Sequence, residues 1–382
     1  MDLSLNEQQR LFKQGVQDFL ARSATREAIL ELENSETGYS PEMWQTAADI
    51  GWLGMVTPGA YGGLGGELTD AAVVFEGLGA GPVPGPFFNS GVLAPLILIE
   101  AGSEAQRQRY LPSLAAGKSI ATLALTEPEW GWGTEGVQTT AVAAVGGGYD
   151  VTGTKLFVFD AHTADHLIVA ARDASSALVL FVVDAKAPGV SIKRMSGFLT
   201  SECSVKLTNV RVPADAVLAG GVGVVEAALA RALLKATPVL CAQMVGGAQA
   251  VYEMSVAYSR RRRQFSQPIG RFQHVQTHIV QMVNFVDGAR WTTFEALWKI
   301  DSEKPNADIS VHLAKVCASE GYVQATNYGH EVHAGVGVMR EYGLTQYTRA
   351  SRSLYHALGD PRWHRKRLGE LLPATLEATA IA

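Results

Sequence analysis

The stretch from Tyr258 to Gln273 reads YSRRRRQFSQPIGRFQ. Four arginines, Arg260 to Arg263, close a long amphipathic segment; an aromatic residue and a Pro-Ile-Gly turn follow, and a new helix opens on Phe272 and Gln273. A cation cluster beside a helix start favours an anionic ligand, because free backbone N–H groups and positive side chains attract the same charge. The plainer reading is a solvated basic helix end that complements its own dipole. Apolar residues recur at three- and four-residue steps on both sides. The pattern predicts helices over Val224 to Arg263, Phe272 to Ile300 and Ala307 to about Val332, with Pro238 kinking or interrupting the first.

Upstream, from about Ile120 to Leu218, short runs of Val, Thr, Ile and Phe are broken by turn residues every eight to twelve positions, which predicts strands. Thr139 to Val145, the turn GGGYD, and Val151 to Phe159 read as a hairpin; His166 to Ala171 and Leu178 to Val183 read as two further strands. The first 120 residues return to a helical period. Ser4 and Glu7 have capping-box spacing, and Ser40-Pro41 opens a second helix. The loop PGAYGGLGG, Pro58 to Gly66, lacks the preceding buried strand that a dinucleotide-binding fingerprint needs, so it reads as a plain loop. The order helical, β, helical gives an α+β multidomain chain: residues 1–120 helical, 121–220 a β-domain, 221–382 a helical bundle.

Composition narrows the function. The 382 residues are 47% hydrophobic and 18% charged, enough for two or three cores. Thirty-two basic against 37 acidic residues leave a net charge of −5, which argues against a nucleic-acid partner. Three widely spaced cysteines, Cys203, Cys241 and Cys317, suggest neither a disulfide framework nor a zinc knuckle and suit a reducing compartment. MDLSLNEQQRLF has no signal-peptide apolar stretch, and no run of about 18 apolar residues follows, so a cytoplasmic protein without a membrane span is expected. His274 and His278, four apart, and His330 and His333, three apart, have metal-ligand spacing; without a third ligand or a glutamate motif they read as core or surface histidines, and no metal is expected.

Within Tyr258 to Gln273, the residues Arg262, Gln264, Phe265, Pro268, Ile269, Gly270, Phe272 and Gln273 match the R-x-Q-F-G-x-P-I-G-x-F-Q signature of the acyl-CoA dehydrogenase family, with Ser266 in place of the usual glycine. Leu125-Thr126-Glu127-Pro128 is similar to the family's L-T-E-P, and Gly153-Thr154-Lys155 precedes what is usually an aromatic-rich flavin-contact strand. His333 to Gly337, HAGVG, resembles the H-G-G-x-G turn, and Glu341, Leu344, Tyr347, Arg349 and Ala350 follow the E-x-x-L-x-x-Y-x-R-A pattern. The resemblance covers nearly the whole chain. It implies the acyl-CoA dehydrogenase fold: an N-terminal all-α domain, a central β-barrel-like domain and a C-terminal four-helix bundle, in a dimer or tetramer holding FAD.

Carried over to this sequence, the resemblance gives Thr126 a hydrogen bond to the flavin and Phe157 the place of the usual tryptophan packed on it. Arg262 and Phe265 would cross a subunit interface to the pyrophosphate and adenine, with Gln273 and Gly335 lining the same half of the cofactor. A forked guanidinium and a glycine turn suit a diphosphate. Glu331 stands where glutamine is usual, and its charge repels phosphate unless a nearby arginine offsets it. Trp130 and Trp132, in EPEWGWGTEG, fall in a loop that in the family borders the substrate thioester; packing at a domain edge is the plainer role. Phe87 and Phe88, after the PVPGP turn, are further aromatic candidates for the same cavity.

The family's reaction needs a carboxylate to remove the α proton while the flavin accepts a hydride from the β carbon. Aligning Arg349 to Arg352 with the family's R-x-A-R segment puts Leu358 where the glutamate of a Y-E-G turn usually stands. The position some members use instead, counted back from Phe265, is Ala236. Glu127, Glu129, Asp160 and Asp360 are acids near the expected site, with Asp160 read as a turn residue and Asp360 as a surface one. Some members, notably those acting on steroid side chains, are α₂β₂ heterotetramers in which one subunit supplies the base, and this chain resembles the other. Its implied substrate is an acyl-CoA, its implied electron acceptor an electron-transferring flavoprotein. The alternatives are a homo-oligomer with an unusual base or non-dehydrogenating chemistry, and a flavin-free acyl-CoA-binding scaffold.

Overall fold

The computed structural model describes residues 3–32, 35–128, 131–198, 201–218 and 224–380. The helices α1 (Glu7–Arg22), α2 (Arg26–Leu32), α3 (Pro41–Asp49), α4 (Leu68–Ala80), α5 (Ala94–Ala101) and α6 (Glu104–Ala115) come first. The strands are β1 (Ala121–Ala124), β2 (Thr140–Ala143), β3 (Tyr149–Phe159), β4 (His166–Arg172), β5 (Leu178–Asp184), β6 (Val190–Arg194) and β7 (Glu202–Val212). Then follow α7 (Val224–Arg261), the two-residue strands β8 (Arg263–Gln264) and β9 (Gln267–Pro268), α8 (Gln273–Asp301), α9 (Ala307–His333), α10 (Leu344–His356) and α11 (Pro361–Ala380). Among the described residues no helix is long and apolar enough to cross a membrane.

Several expectations are corrected. The α1 capping box is Asn6 with Gln9, not Ser4 with Glu7: the Asn6 side chain accepts the Gln9 N–H and the Gln9 side chain accepts the Asn6 N–H. Ser40 does cap a helix, but α2 precedes it, so that helix is the third. Helix α7 runs through Pro238 without interruption; the proline removes one N–H donor, and 37 other residues sustain the helix around it. The glycine-rich segment is a loop folded back on Gly54 to Thr57, where Leu64 and Gly65 N–H donate to the carbonyls of Gly54 and Thr57. A Cβ on Gly63 would lie 2.0 Å from the Thr57 oxygen, which explains a glycine there without any ligand.

The described chain forms two compact units. One comprises Met1–Glu31, Leu68–Val83 and Thr237–Ala382. In it α4 lies directly on α7: Cβ atoms on Gly79 and Gly246 would come within 1.9 and 1.8 Å of the Gln243 and Glu76 carbonyl oxygens. The Asp301 carboxylate, ending α8, accepts the N–H groups of Leu68 and Thr69 at 3.0 Å each and so caps α4. Val251, Met282 and Leu344 form a core cluster of this unit.

The second unit comprises Leu32–Glu67 and Pro84–Ala236. Its seven-stranded sheet has the order β1-β4-β2-β3-β7-β6, with β5 paired to β4. The expected hairpin is β2–β3, in register from Thr140 opposite Thr152 to Ala143 opposite Tyr149. Gly146, Gly147 and Gly148 all adopt positive φ in its turn. Strands β1, β6 and β7 escaped the sequence reading. In β7 the buried Cys203, Val205 and Leu207 alternate with polar residues, but a bend at Asn209, φ +48, breaks the period.

Candidate functional site

The predicted site residues fall in two sets, one in each unit. In the β-containing unit, Thr126 follows β1 and Phe157 sits within β3. The Leu156 N–H donates to the Thr126 carbonyl at 2.9 Å, tying the two segments together. The β3–β7 register shifts between Lys155 and Val158, and Phe157 occupies this irregularity at φ +54 with 42% of its surface exposed. Such a bulge re-aims a side chain out of the ladder, and here it turns a large ring toward solvent. The Thr126 hydroxyl has no hydrogen-bond partner among the described residues.

Behind these two residues lies an ion pair that sequence reading did not weigh. Lys155 Nζ, fully buried, donates to Glu127 Oε1 at 2.6 Å and to the Leu125 carbonyl at 3.2 Å. Glu127 also accepts the N–H of Gln138 and the N–H and hydroxyl of Thr139. Burial pushes the Lys155 pKa down to about 8 against the pull of Glu127. Burial acts on Glu127 in the raising direction, but its donors outweigh this and hold it below the usual carboxylate range. So occupied, Glu127 is no free base. Glu127 lies in Leu125–Pro128 and Lys155 in Gly153–Lys155, and no local signal joins two residues so far apart in sequence.

Asp160 lies in the turn after β3 at φ +56, buried, with the Asn89 amide donating to it at 3.3 Å. Desolvation raises its pKa to about 7, with Asn89 and Arg194 opposing. Asn89 opens a single π-helical turn, Asn89–Leu93. Phe87 and Phe88 are both buried, Phe87 against Trp44 at 5.4 Å between rings. Trp132 is half-buried in the loop before β2. Trp130 and Glu129 lie outside the described residues. Ala236, on α7, is fully buried.

In the helical unit, β8 and β9 make a hairpin whose two-residue loop is Phe265 and Ser266, at φ +49 and +66. Two positive φ values define the turn that matches strand twist, and that turn favours asparagine and glycine. A phenylalanine and a serine there carry strain, and the ring of Phe265 stands 87% exposed. Arg262, beside it, is exposed and its guanidinium has no hydrogen bond among the described residues. Gln273, also exposed, is the first residue of α8.

At the end of α9, Glu331 is exposed without an ion pair among the described residues. The segment Ala334–Val338 forms a 3₁₀ turn, entered through Ala334 at φ 49, ψ −135, a region suited to glycine. A Cβ on Gly335 would meet nothing within 4 Å. An open glycine turn and an uncommitted guanidinium are groups that suit a diphosphate, and an exposed ring is one that suits a base.

Leu358 stands between α10 and α11 at φ +57, half-buried, followed by Gly359 at φ +109. The turn is held from behind. Lys315 Nζ, on α9 and fully buried, donates to the carbonyls of Tyr355 at 3.1 Å and Gly359 at 2.9 Å and to the Ser319 hydroxyl at 2.7 Å. His364 Nε2 donates to the Leu358 carbonyl at 3.1 Å. Its Nδ1 is then the acceptor for His312 Nδ1–H at 2.8 Å. Asp360 caps α11 by accepting the Trp363 N–H. The turn at residue 358 is thus held through its backbone, and the side chain it carries is an isobutyl group.

The four histidines with metal-ligand spacing make the following contacts. His274 and His278 stack at 6.2 Å, and His278 leans on Tyr328. His330 pairs with the Thr348 hydroxyl, and His333 stacks on Tyr258 at 4.5 Å and meets the tilted ring of Tyr342 at 5.1 Å. Among the described residues no three His, Cys, Asp and Glu side chains are grouped to hold a metal ion.

Three family descriptions match the chain in order: acyl-CoA dehydrogenase N-terminal domain over residues 6–118, middle domain over 122–210 and C-terminal domain over 224–372. The chain is 30% identical to a probable acyl-CoA dehydrogenase, YngJ, of Bacillus subtilis, over 92% of this chain and 94% of that protein. It is 31% identical to acyl-CoA dehydrogenase FadE27 of Mycobacterium tuberculosis, over 92% and 93%. Among solved structures, the ChsE4-ChsE5 complex of Mycobacterium tuberculosis superposes with a TM-score of 0.89 at 28% identity, covering 98% of this chain and 99% of that one.

Proposed function

Because the chain belongs to the acyl-CoA dehydrogenase family, we propose that it binds FAD and takes part in α,β-desaturation of an acyl-CoA, as the base-lacking subunit of a complex with a homologous chain. The observation that carries this reading is the turn at Leu358. Its backbone is fixed by Lys315 and His364, yet its side chain cannot take a proton. Ala236, the other family position, is buried and equally inert. Neither Glu127, saturated by donors, nor Asp360, spent on a helix cap, is free to replace them.

The residues on this chain suit the cofactor better than the proton transfer. Arg262 would pair with phosphate oxygens and Phe265 would cover the adenine of a neighbouring subunit's site. Gln273 and Gly335 would line the same diphosphate half, with Arg262 offsetting the charge of Glu331. Thr126 would donate its hydroxyl to the ring system and Phe157 would pack on it. Bound FAD would supply the hydride acceptor. Trp132 would narrow the space beside the thioester. Electrons would pass on to an electron-transferring flavoprotein, in the cytoplasm, where the three free cysteines remain reduced.

The test is the FAD-to-chain ratio of the protein purified alone and after co-expression with homologous chains encoded beside it. Flavin at half occupancy in a mixed oligomer, or retained only with the second chain, supports the reading. One FAD per chain in a self-sufficient homo-oligomer contradicts it.

A further inference from the structure

We propose that the buried Lys155–Glu127 pair is a positioning device for the hydroxyl of Thr126, setting its height against the flavin; this rests on the FAD reading above. The ammonium bonds the residues on either side of Thr126: the Leu125 carbonyl at 3.2 Å and the Glu127 carboxylate at 2.6 Å. The next residue on β3, Leu156, takes the Thr126 carbonyl itself. Residues 125, 126 and 127 are thus each fixed to the neighbouring positions 155 and 156, while the Thr126 hydroxyl has no partner among the described residues. Phe157 follows directly in the bulge. One clamp therefore fixes the hydroxyl and the ring together.

Glu127 extends the clamp in the other direction. By holding the N–H groups of Gln138 and Thr139, it closes the neck of the loop that carries Trp132. A buried ion pair is weak evidence for stability, since desolvation offsets much of the attraction. Its advantage here is geometric: an ammonium has three donors, and two of them reach oxygens that no aliphatic side chain could hold apart and in register. A merely structural pair would be indifferent to Thr126. A positioning pair is coupled to it.

The experiment is a double-mutant cycle on FAD affinity, titrating FAD into the deflavinated full-length protein, with its partner chain where one is needed. Wild type, Lys155→Met, Thr126→Ala and the double variant are compared well below their melting temperatures. Each single change is expected to weaken FAD binding about tenfold, and the double change to be no more than about threefold worse than either single. Lys155→Met should also shift the visible flavin band, since the ring loses its fixed hydroxyl. Independent losses multiplying to about a hundredfold, or unchanged affinity in Lys155→Met, would overturn the assignment. If Lys155→Met does not fold, Glu127→Gln is used in the same cycle: its amide oxygen can still accept the Thr139 N–H and hydroxyl, while the carboxylate charge and the oxygen that holds the Gln138 N–H are lost. A wild-type protein that takes up no FAD in any assembly overturns the cofactor reading, and the assignment with it.

Discussion

The ammonium of Lys315 lies 2.9 Å from the carbonyl oxygen of Gly359, the residue that follows Leu358. A fully buried lysine thus spends its donors on the backbone of the turn that carries Leu358. Replacing it with methionine strands the Tyr355 and Gly359 carbonyls in an apolar setting. Lys315→Met is expected to destabilise the protein by about 2–4 kcal/mol. Chemical denaturation measures this, and a loss under about 0.5 kcal/mol would show the turn to be held by other means.

Because that turn is already shaped, Leu358→Glu tests what it lacks. The variant should gain measurable acyl-CoA dehydrogenation in an assembly where the wild-type chain has none. The backbone at 358 is already left-handed, so the new residue adds no conformational demand beyond the present one. An assay by flavin bleaching decides it; no gain means that more than a carboxylate is missing.

Arg262 offers a second, independent test. Its guanidinium makes no hydrogen bond among the described residues, so removing it should cost the fold little. Arg262→Ala is expected to lower FAD retention by about tenfold or more with an unchanged melting temperature, as for loss of a charge-assisted phosphate contact. Equal flavin content in the variant would take Arg262 out of the cofactor site.

Asp160 predicts a pH dependence. Its folded pKa, about 7, exceeds the unfolded value, so folding favours the protonated form. Ionisation in the unfolded state then lowers stability as pH rises from about 4 to about 7, and the full penalty is present above pH 7. Asp160→Asn should therefore raise the melting temperature at pH 8 and change it little at pH 4. A pH-independent effect would mean that backbone conformation or packing, not charge, dominates at this site.

Much of this was legible in the sequence. The segment around Arg262 announced a cation cluster and a turn, and the β2–β3 hairpin could be placed from GGGYD and the alternation beside it. Legibility failed where one residue's role depends on a partner far along the chain. Glu127 and Lys155 are separated by 28 positions, and nothing local distinguishes a lysine in β3 that points inward from one that points out. Lys315 likewise reads as a polar member of an amphipathic helix, although it is buried against a turn 44 residues away. Strand β7 was hidden by polar residues on its exposed face and by the bend at Asn209. The α1 cap was misplaced by two residues, because asparagine followed by glutamine at the third position makes the same box as serine with glutamate.

The most direct test of the base-lacking role is anaerobic reduction of the bound flavin by a panel of acyl-CoA thioesters, followed as bleaching of the visible absorption. The protein alone, loaded with FAD, should not be bleached on the timescale of turnover, and the same chain with its homologous partner should be bleached rapidly by at least one thioester. Rapid bleaching of the chain alone would contradict the account, because it would place a competent base on this chain.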